Sequence, residues 1–186
     1  KINALYRKFR EDGKIKNPRE DVLKFKYVAD GVLHLNSTRI VKRSPFDLYD
    51  LSFAEREARR QMFELYTFLK ENCEGFENST LLSSAPEIGV RESRMIDGVY
   101  TLTVTDLKDC VHFEDGIAAC NYDIDIHNPE GTGTSHYYFK EGTYYTIPYR
   151  SLMPKNIKNL LAAGRCISGS HEAQASFRIM PTCCST

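Results

Sequence analysis

The feature that most constrains this fold is one long amphipathic segment, Ser52–Asn72. Ser52 is a good N-cap, and Glu55 three residues later has the spacing of a capping box. Apolar residues recur at intervals of three and four along one face; they are Ala54, Ala58, Met62, Leu65 and Leu69. Charged residues occupy the other face. The pattern predicts a helix that packs one side against an apolar core.

Short strand patterns separated by turn residues surround this helix. Asp30-Gly31 is a turn signal between residues 22–28 and 32–41, which together predict a hairpin. A second hairpin is predicted from residues 136–139 and 143–148. Further strands are predicted at 79–84, 87–92, 98–104 and 117–126. This order of elements indicates an α+β fold with a mostly antiparallel sheet.

The last thirty or so residues follow a different pattern. Asn159–Ala163 is a short apolar run that predicts a buried strand ending at Gly164, and a helix is predicted over residues 171–180. A strand, a glycine turn and a helix in this order are typical of nucleotide-binding folds. From composition alone, core packing and a ligand site explain this segment equally well.

Charge and cysteine content argue against several classes of protein. The chain has 25 basic and 25 acidic residues, whereas binding to nucleic acid or to a membrane surface calls for a basic excess. No apolar run is long enough to cross a membrane. The six cysteines are irregularly spaced and form no CxxC pair, which indicates a reducing compartment and a cytoplasmic location.

Three groups of polar residues are candidates for chemistry. Arg91 and Arg94 flank a glutamate and could hold a carboxylate, although a structural ion-pair network is the favoured interpretation from spacing alone. Alternate residues of one predicted strand carry Asp123, Asp125 and His127, which could bind a metal or a polar substrate; a simple polar strand face is favoured over a metal site.

The third group lies at the predicted C-terminal helix. Its beginning near His171 would present backbone N–H groups to an anionic or electron-rich ligand, and Glu172 and Arg178 are further polar groups on an apolar segment. Cys166 paired with His171 would be a nucleophile, but no neighbouring residue favours it. Gly164 would let another group approach the backbone closely.

Five segments, taken in order, resemble a bacterial family of FAD-dependent oxidoreductases related to the glutathione-reductase-like flavoproteins. They are residues 86–94, 122–129, 147–154 and 159–168, followed by 171–173 with 178–183. The resemblance covers nearly the whole chain. It implies FAD as cofactor and transfer of a hydride from a polar small-molecule substrate to the flavin.

The resemblance also implies a division of the chain. Residues 1–155 would be a substrate (cap) domain, and residues 156–186 would be the segment that returns to a Rossmann-like FAD-binding domain. The 186 residues contain no GxGxxG motif, and the ends, Lys1 and Thr186, look cut. We therefore expect a C-terminal fragment that is inactive alone and cannot hold FAD tightly without the pyrophosphate site.

Roles for single residues follow from the same resemblance. The cofactor-binding residues would be Ala163, Gly164, Arg165, Ser168 and Glu172. Arg165 stands where many related flavoproteins carry an acidic residue. The catalytic residues would be His171, Arg178 and His127: His171 or His127 as the base, and His171 or Arg178 as the positive group beside the reduced flavin. Arg91 and Arg94 would bind the substrate.

The competing hypothesis is a non-catalytic α+β module that binds a ligand such as a carbohydrate. Aromatic side chains cluster near one loop, and their faces could stack on sugars; they are Tyr137, Tyr138, Tyr144, Tyr145 and Tyr149. A hydrolase is disfavoured because the sequence has no nucleophile motif.

Overall fold

The computed structural model describes residues 1–127 and 134–186, and the chain divides into two compact units. The first unit is Lys1–Gly89, and the second begins at Val90 and includes Thr134–Thr186. Each unit has its own cluster of buried apolar side chains. The division between residues 155 and 156, which the resemblance implies, stays a prediction. In the described ranges, no helix is both long enough and apolar enough to cross a bilayer.

The first unit combines two helices with one hairpin. Its elements are α1 (Ile2–Glu11), β1 (Lys24–Lys26), β2 (Leu33–Leu35) and α2 (Leu48–Asn72). β1 and β2 pair antiparallel with Phe25 opposite His34, which confirms the first predicted hairpin. Gly31 has a φ of 75°, the left-handed conformation that glycine adopts without steric cost.

The long helix α2 begins one turn earlier than its sequence pattern predicts. Asp47 caps it, because this carboxylate accepts hydrogen bonds from the backbone N–H groups of Tyr49 and Asp50 at 2.9 Å. The predicted capping box of Ser52 and Glu55 is therefore wrong. The predicted packing face is largely confirmed, since the buried residues of the helix are Ala54, Gln61, Leu65, Phe68 and Leu69.

Aromatic contacts join α1 to α2 in the core of the first unit. The ring of Phe68 makes edge-to-face contacts with Tyr6 and Phe9 at centroid distances of 5.4 and 5.2 Å. Burial raises the pKa of Tyr6 to about 12. The buried amide of Gln61 donates to the carbonyl of Arg39 and accepts from its N–H, so this polar core residue is satisfied.

The second unit holds short helices and two pairs of strands. Its elements are α3 (Val104–Lys108), β3 (Gly116–Cys120), β4 (Ile124–His127), β5 (Thr134–Tyr137), β6 (Tyr145–Pro148), α4 (His171–Phe177) and α5 (Met180–Cys184). Two 3-10 turns lie at Tyr149–Leu152 and Gly164–Cys166. β3 pairs with β6 and β4 pairs with β5, both antiparallel.

The α+β class with antiparallel pairing is confirmed, but several predicted strands are wrong. The hairpin predicted from residues 136–139 and 143–148 does not form, because β5 pairs with β4 and β6 with β3. Residues 79–84 and 87–92 form no strand, and the segment 98–104 contributes only isolated bridges. The predicted helix over residues 171–180 is divided into α4 and α5.

The buried strand predicted at Asn159–Ala163 is also wrong. Leu160 and Leu161 are about half exposed, at 50% and 51%. Burial begins several residues later at Ile167 and Ser168, where the backbone of residue 168 bonds to two other segments. Its N–H donates to Ser151, and its carbonyl accepts from the N–H of Leu102. The assignment of this region to a Rossmann-like domain is not confirmed.

Gly98 should be essential for packing in the second unit. A Cβ at this position would lie 2.5 Å from the Cβ of Ser168 and 3.2 Å from the carbonyl oxygen of Ser151. We expect Gly98→Ala to lower the free energy of unfolding by about 1–3 kcal/mol through overpacking. Gly89→Ala is the matched control, because a Cβ there meets nothing within 4 Å. Urea denaturation followed by circular dichroism would measure both, and equal stability of the two variants would contradict this packing.

Candidate functional site

Polar side chains from separate parts of the sequence meet beside β4 and α4 in the second unit. Arg91 and Glu92 come from an irregular segment, Asp125 from β4, and His171 and Arg178 from the two ends of α4. Hydrogen bonds connect these residues into two groups. One is a network around Asp125, and the other is a pair formed by Glu92 and His171. This cluster is the candidate functional site.

The buried carboxylate of Asp125 is the centre of the first network. Its side chain is 9% exposed, and Oδ2 accepts from Arg91 Nη2 at 2.7 Å and from Arg178 Nη2 at 3.3 Å. The same Nη2 of Arg178 also donates to the carbonyl of Asp125 at 3.2 Å. His136 stands opposite in the β4–β5 register, with Nε2 3.6 Å from Oδ1. Of the predicted row, Asp125 lies within β4 and binds two arginines, whereas Asp123 precedes the strand and the His127 side chain lies outside the described residues, so the shared polar face stays a prediction.

Burial makes the charge of Arg178 depend on this carboxylate. The side chain is 12% exposed, and burial lowers the pKa of its guanidinium; the nearby charge of Arg91 acts in the same direction, and Asp125 opposes both. A buried guanidinium without a carboxylate partner is strongly unfavourable. Asp125 therefore stabilises both the charge and the position of Arg178.

Glu92 and His171 form a second, more exposed pair. The Glu92 carboxylate lies 2.7 Å from Nδ1 of His171, and the two side chains are 35% and 43% exposed. Because an ionised carboxylate only accepts hydrogen bonds, this contact favours the tautomer with the proton on Nδ1. Nε2 is then the acceptor nitrogen of the neutral ring, and it bonds to no residue in the described part of the chain. This arrangement is typical of a general base.

The polar face of α4 holds the irregular segments of the site in place. The Ser170 hydroxyl caps the helix by accepting from the N–H of Ala173. Gln174, fully buried, donates to the carbonyl of Arg91 at 3.1 Å. Ser176 donates to the carbonyl of Tyr122 and bonds to the Tyr145 hydroxyl.

The residues predicted to bind a cofactor lie around the turn that precedes α4. Gly164 has a φ of 75°, and its N–H donates to Oγ1 of Thr186 at 2.8 Å. Arg165 is exposed and makes no hydrogen bond or ion pair within residues 1–127 and 134–186. Ala163 is exposed beside it. Ser168 is 1% exposed, and its hydroxyl shares a hydrogen bond with Thr101.

Glu172 lies in the first turn of α4. Its pKa is lowered, first by the hydrogen bond from its own backbone N–H and then by the Ser170 hydroxyl. An ionised carboxylate at this position is a ready acceptor for hydroxyl groups.

The remaining predicted residues are Arg94, His127 and Cys166. Arg94 is exposed on the irregular segment that also carries Arg91. His127 is the last residue of β4, and its side chain lies outside the described part of the structure, as do residues 128–133. Cys166 donates its thiol hydrogen to the carbonyl of Ala163, so no Cys166–His171 pair forms.

The five tyrosines of the binding-module hypothesis do not share one surface. Tyr145 is fully buried, and burial raises its pKa. Tyr144 stacks on His112 at a centroid distance of 4.4 Å, and Tyr138 stacks on His136 at 5.6 Å. Tyrosines that are buried or already stacked offer fewer open faces to a sugar.

Sequence reasoning missed the partners that organise the site. The sequence assigns no role to Glu92, which it shows only as the glutamate between two arginines, and it does not single out Gln174. A signal for Gln174 and Ser176 exists: polar residues in a short, otherwise apolar helix indicate buried hydrogen bonds. No local pattern links Glu92 to His171, because contacts between such distant residues depend on the tertiary fold.

Comparison with known proteins gives one match. The family model described as FAD dependent oxidoreductase matches residues 3–186. Neither the curated proteins nor the solved structures include a significant match to the chain.

Asp125→Asn should destabilise the second unit strongly. Without the carboxylate, the guanidinium of Arg178 is buried beside that of Arg91 with no compensating charge from the described residues, so we expect the free energy of unfolding to fall by about 3 kcal/mol. Asp123→Asn is the control, because this side chain makes no hydrogen bond with a described residue.

Denaturant titration of the double variant Asp125→Asn/Arg178→Met would test the cause. Removing the buried charge should recover a part of the lost stability. If the double variant were as unstable as the sum of the single variants, the two side chains would not be coupled.

Proposed function

Because the chain belongs to the family of FAD-dependent oxidoreductases, we propose that its second unit contributes substrate-binding and proton-transferring residues to the oxidation of a polar small molecule. FAD is the cofactor of this family, and when bound it accepts the hydride that the substrate loses. The observation that carries the proposal is the Glu92–His171 pair, which presents an open imidazole nitrogen in a chain that the family model matches almost throughout.

Oxidation of an alcohol requires a base for the hydroxyl proton. His171 suits this role because Glu92 holds the Nδ1 proton, so the lone pair of Nε2 is available to the substrate. As Nε2 takes the proton, the ring becomes positively charged. The Glu92 carboxylate, 2.7 Å away, stabilises that charge.

The turn before α4 has a donor set that fits part of the cofactor. A Cβ at Gly164 would meet only the Cβ of Cys183, at 3.8 Å, so another group can approach this backbone. The exposed guanidinium of Arg165 matches an anionic or carbonyl-rich edge. We assign cofactor contacts to Ala163, Gly164, Arg165 and Glu172. We assign Ser168 a positioning role, since it is buried against Thr101.

These residues fit the flavin or ribityl portion better than the pyrophosphate. Binding of a dinucleotide pyrophosphate by a Rossmann-like turn requires GxGxxG, and the sequence contains no such motif. His171, once it has taken the substrate proton, supplies a positive group for charge that develops on reduction. Arg91 and Arg94 would bind the substrate, and His127 is the second candidate for the base.

Two measurements test this function in the protein purified with its cofactor. The first is the visible absorption spectrum, which should show bound oxidised flavin. The second is the rate of flavin reduction in a stopped-flow instrument with a panel of polyols, sugars and 2-hydroxy acids. We expect His171→Ala to lower this rate by about 10²–10⁴-fold, the range for loss of a general base.

Matched variants separate the base from its partner. Glu92→Gln keeps the size of the side chain but removes the charge that stabilises the imidazolium, so we expect about a tenfold fall in kcat with little change in KM. His34→Ala, on the hairpin of the first unit, should leave the rate unchanged. Because the sequence contains no GxGxxG motif, this test applies to a protein that joins these residues to such a motif; if that protein neither contained nor took up FAD, the proposed function would be excluded. Unchanged reduction in His171→Ala would remove His171 from the mechanism.

A further inference from the structure

Among the described residues, the Asp125 network contains two guanidinium groups and a single carboxylate. Nη2 of Arg91 and Nη2 of Arg178 both donate to the same oxygen, Oδ2. The other described side chain beside this carboxylate is His136, which adds no negative charge. Two cations that share one anion leave room for a second anion, because its binding would reduce the repulsion between them.

Arg91 also leaves most of its hydrogen-bonding groups open. Only Nη2 is bonded; Nε and Nη1 bond to no residue in the described ranges, and the side chain is 44% exposed. A guanidinium presents its N–H groups as a planar fork that matches the two oxygens of a carboxylate or phosphate. The open part of this fork is accessible to a ligand.

Two structural ion pairs elsewhere in this chain look different, although Arg43 also binds Asp50 through a single guanidinium nitrogen. Arg7 uses Nε and Nη2 to bind both carboxylate oxygens of Asp21, and Arg150 bonds to Asp115 through the same two nitrogens. Arg150 is 46% exposed, close to the value for Arg91. In both pairs the acidic partner engages the fork, whereas at Arg91 it does not. Exposure alone therefore does not explain the open fork.

The backbone around Arg91 is held before any ligand binds. The buried amide of Gln174 donates to the carbonyl of Arg91, and Asp125 is fixed within β4. Arg178 is the C-cap residue of α4 and is nearly buried. A preorganised site loses less conformational entropy on binding than a mobile surface arginine does.

We propose that Arg91 and Arg178 bind the anionic group, a carboxylate or a phosphate, of the molecule that this protein oxidises. That this molecule is the substrate rests on the proposed function. Asp125 is the positioning residue, since it orients both guanidinium groups, and His136 lies at the edge of the site. Arg91 and Glu92 are consecutive in the chain, so the same segment carries the anion-binding arginine and the partner of the proposed base. A small acid that carries a hydroxyl group has the matching chemistry.

Isothermal titration of the oxidised, FAD-loaded protein with succinate and with inorganic phosphate tests this binding without turnover. We expect one of the two anions to bind, and its identity distinguishes a carboxylate from a phosphate. Arg91→Gln should weaken that binding by about tenfold or more, because a charge-assisted two-point contact is lost. Arg150→Gln, a matched arginine already engaged by Asp115, should leave the affinity unchanged.

Arg91→Lys adds a second variant that keeps the charge beside Asp125. We expect it to bind the anion more weakly than the wild type, since an ammonium group cannot form the planar fork. Flavin content and circular dichroism establish that each variant is folded and loaded, and Arg91→Lys replaces Arg91→Gln if the latter unfolds.

Three results would overturn the proposal: no binding of either anion by the wild type, equal affinity in the Arg91 variants, or loss of FAD in those variants, which would assign the arginine to the cofactor. The outcome is separate from that of the His171 experiment. Anion binding that depends on Arg91 can be measured even where His171→Ala reduces normally. Conversely, a base at His171 does not require an anion site.

Discussion

The buried carboxylate of Asp125 is the interaction on which the candidate site depends. Burial of a carboxylate is unfavourable unless cations and hydrogen-bond donors compensate it, and here Arg91 and Arg178 do so. These contacts join β4, the C-terminal end of α4 and the irregular segment before Gly98. Since that segment has no strand partners along residues 91–95, side-chain contacts take the place of a sheet ladder. The arginines could not keep their positions without this carboxylate.

The helix α4 contributes the second half of the same arrangement. Gln174 and Ser176 are buried, yet their partners are the backbone carbonyls of Arg91 and Tyr122. Carbonyl groups in irregular segments must find donors when they are buried, and a helix with polar residues on its packed face supplies them. The same helix positions His171 at its first residue. Packing and the proposed chemistry therefore depend on the same seven residues.

Local patterns could be predicted from the sequence, whereas pairings between distant segments could not. The apolar spacing of α2 and the Asp30-Gly31 turn identified a helix and a hairpin. The N-cap of α2 is Asp47 and not Ser52, and the sequence does not distinguish them because both residue types can cap a helix. The strand pairs β3–β6 and β4–β5 were not predictable from local alternation. Leu160 and Leu161 look like core residues by composition, but the apolar side chain that packs in this region is Ile167. The same limit applies to the site. The sequence identifies His171, Arg91 and Arg178 as candidates but does not show that Glu92 pairs with His171 or that Asp125 binds both arginines.

Differences in burial assign different roles to the two carboxylates of the site. Asp125, at 9% exposure, is buried and already engaged by two guanidinium groups. Glu92, at 35% exposure, bonds to Nδ1 of an imidazole whose Nε2 bonds to no residue in the described ranges. One carboxylate therefore fixes charge and geometry, and the other supports proton transfer. The two roles, holding the arginines and supporting proton transfer, follow from the surroundings of each carboxylate and not from the residue type.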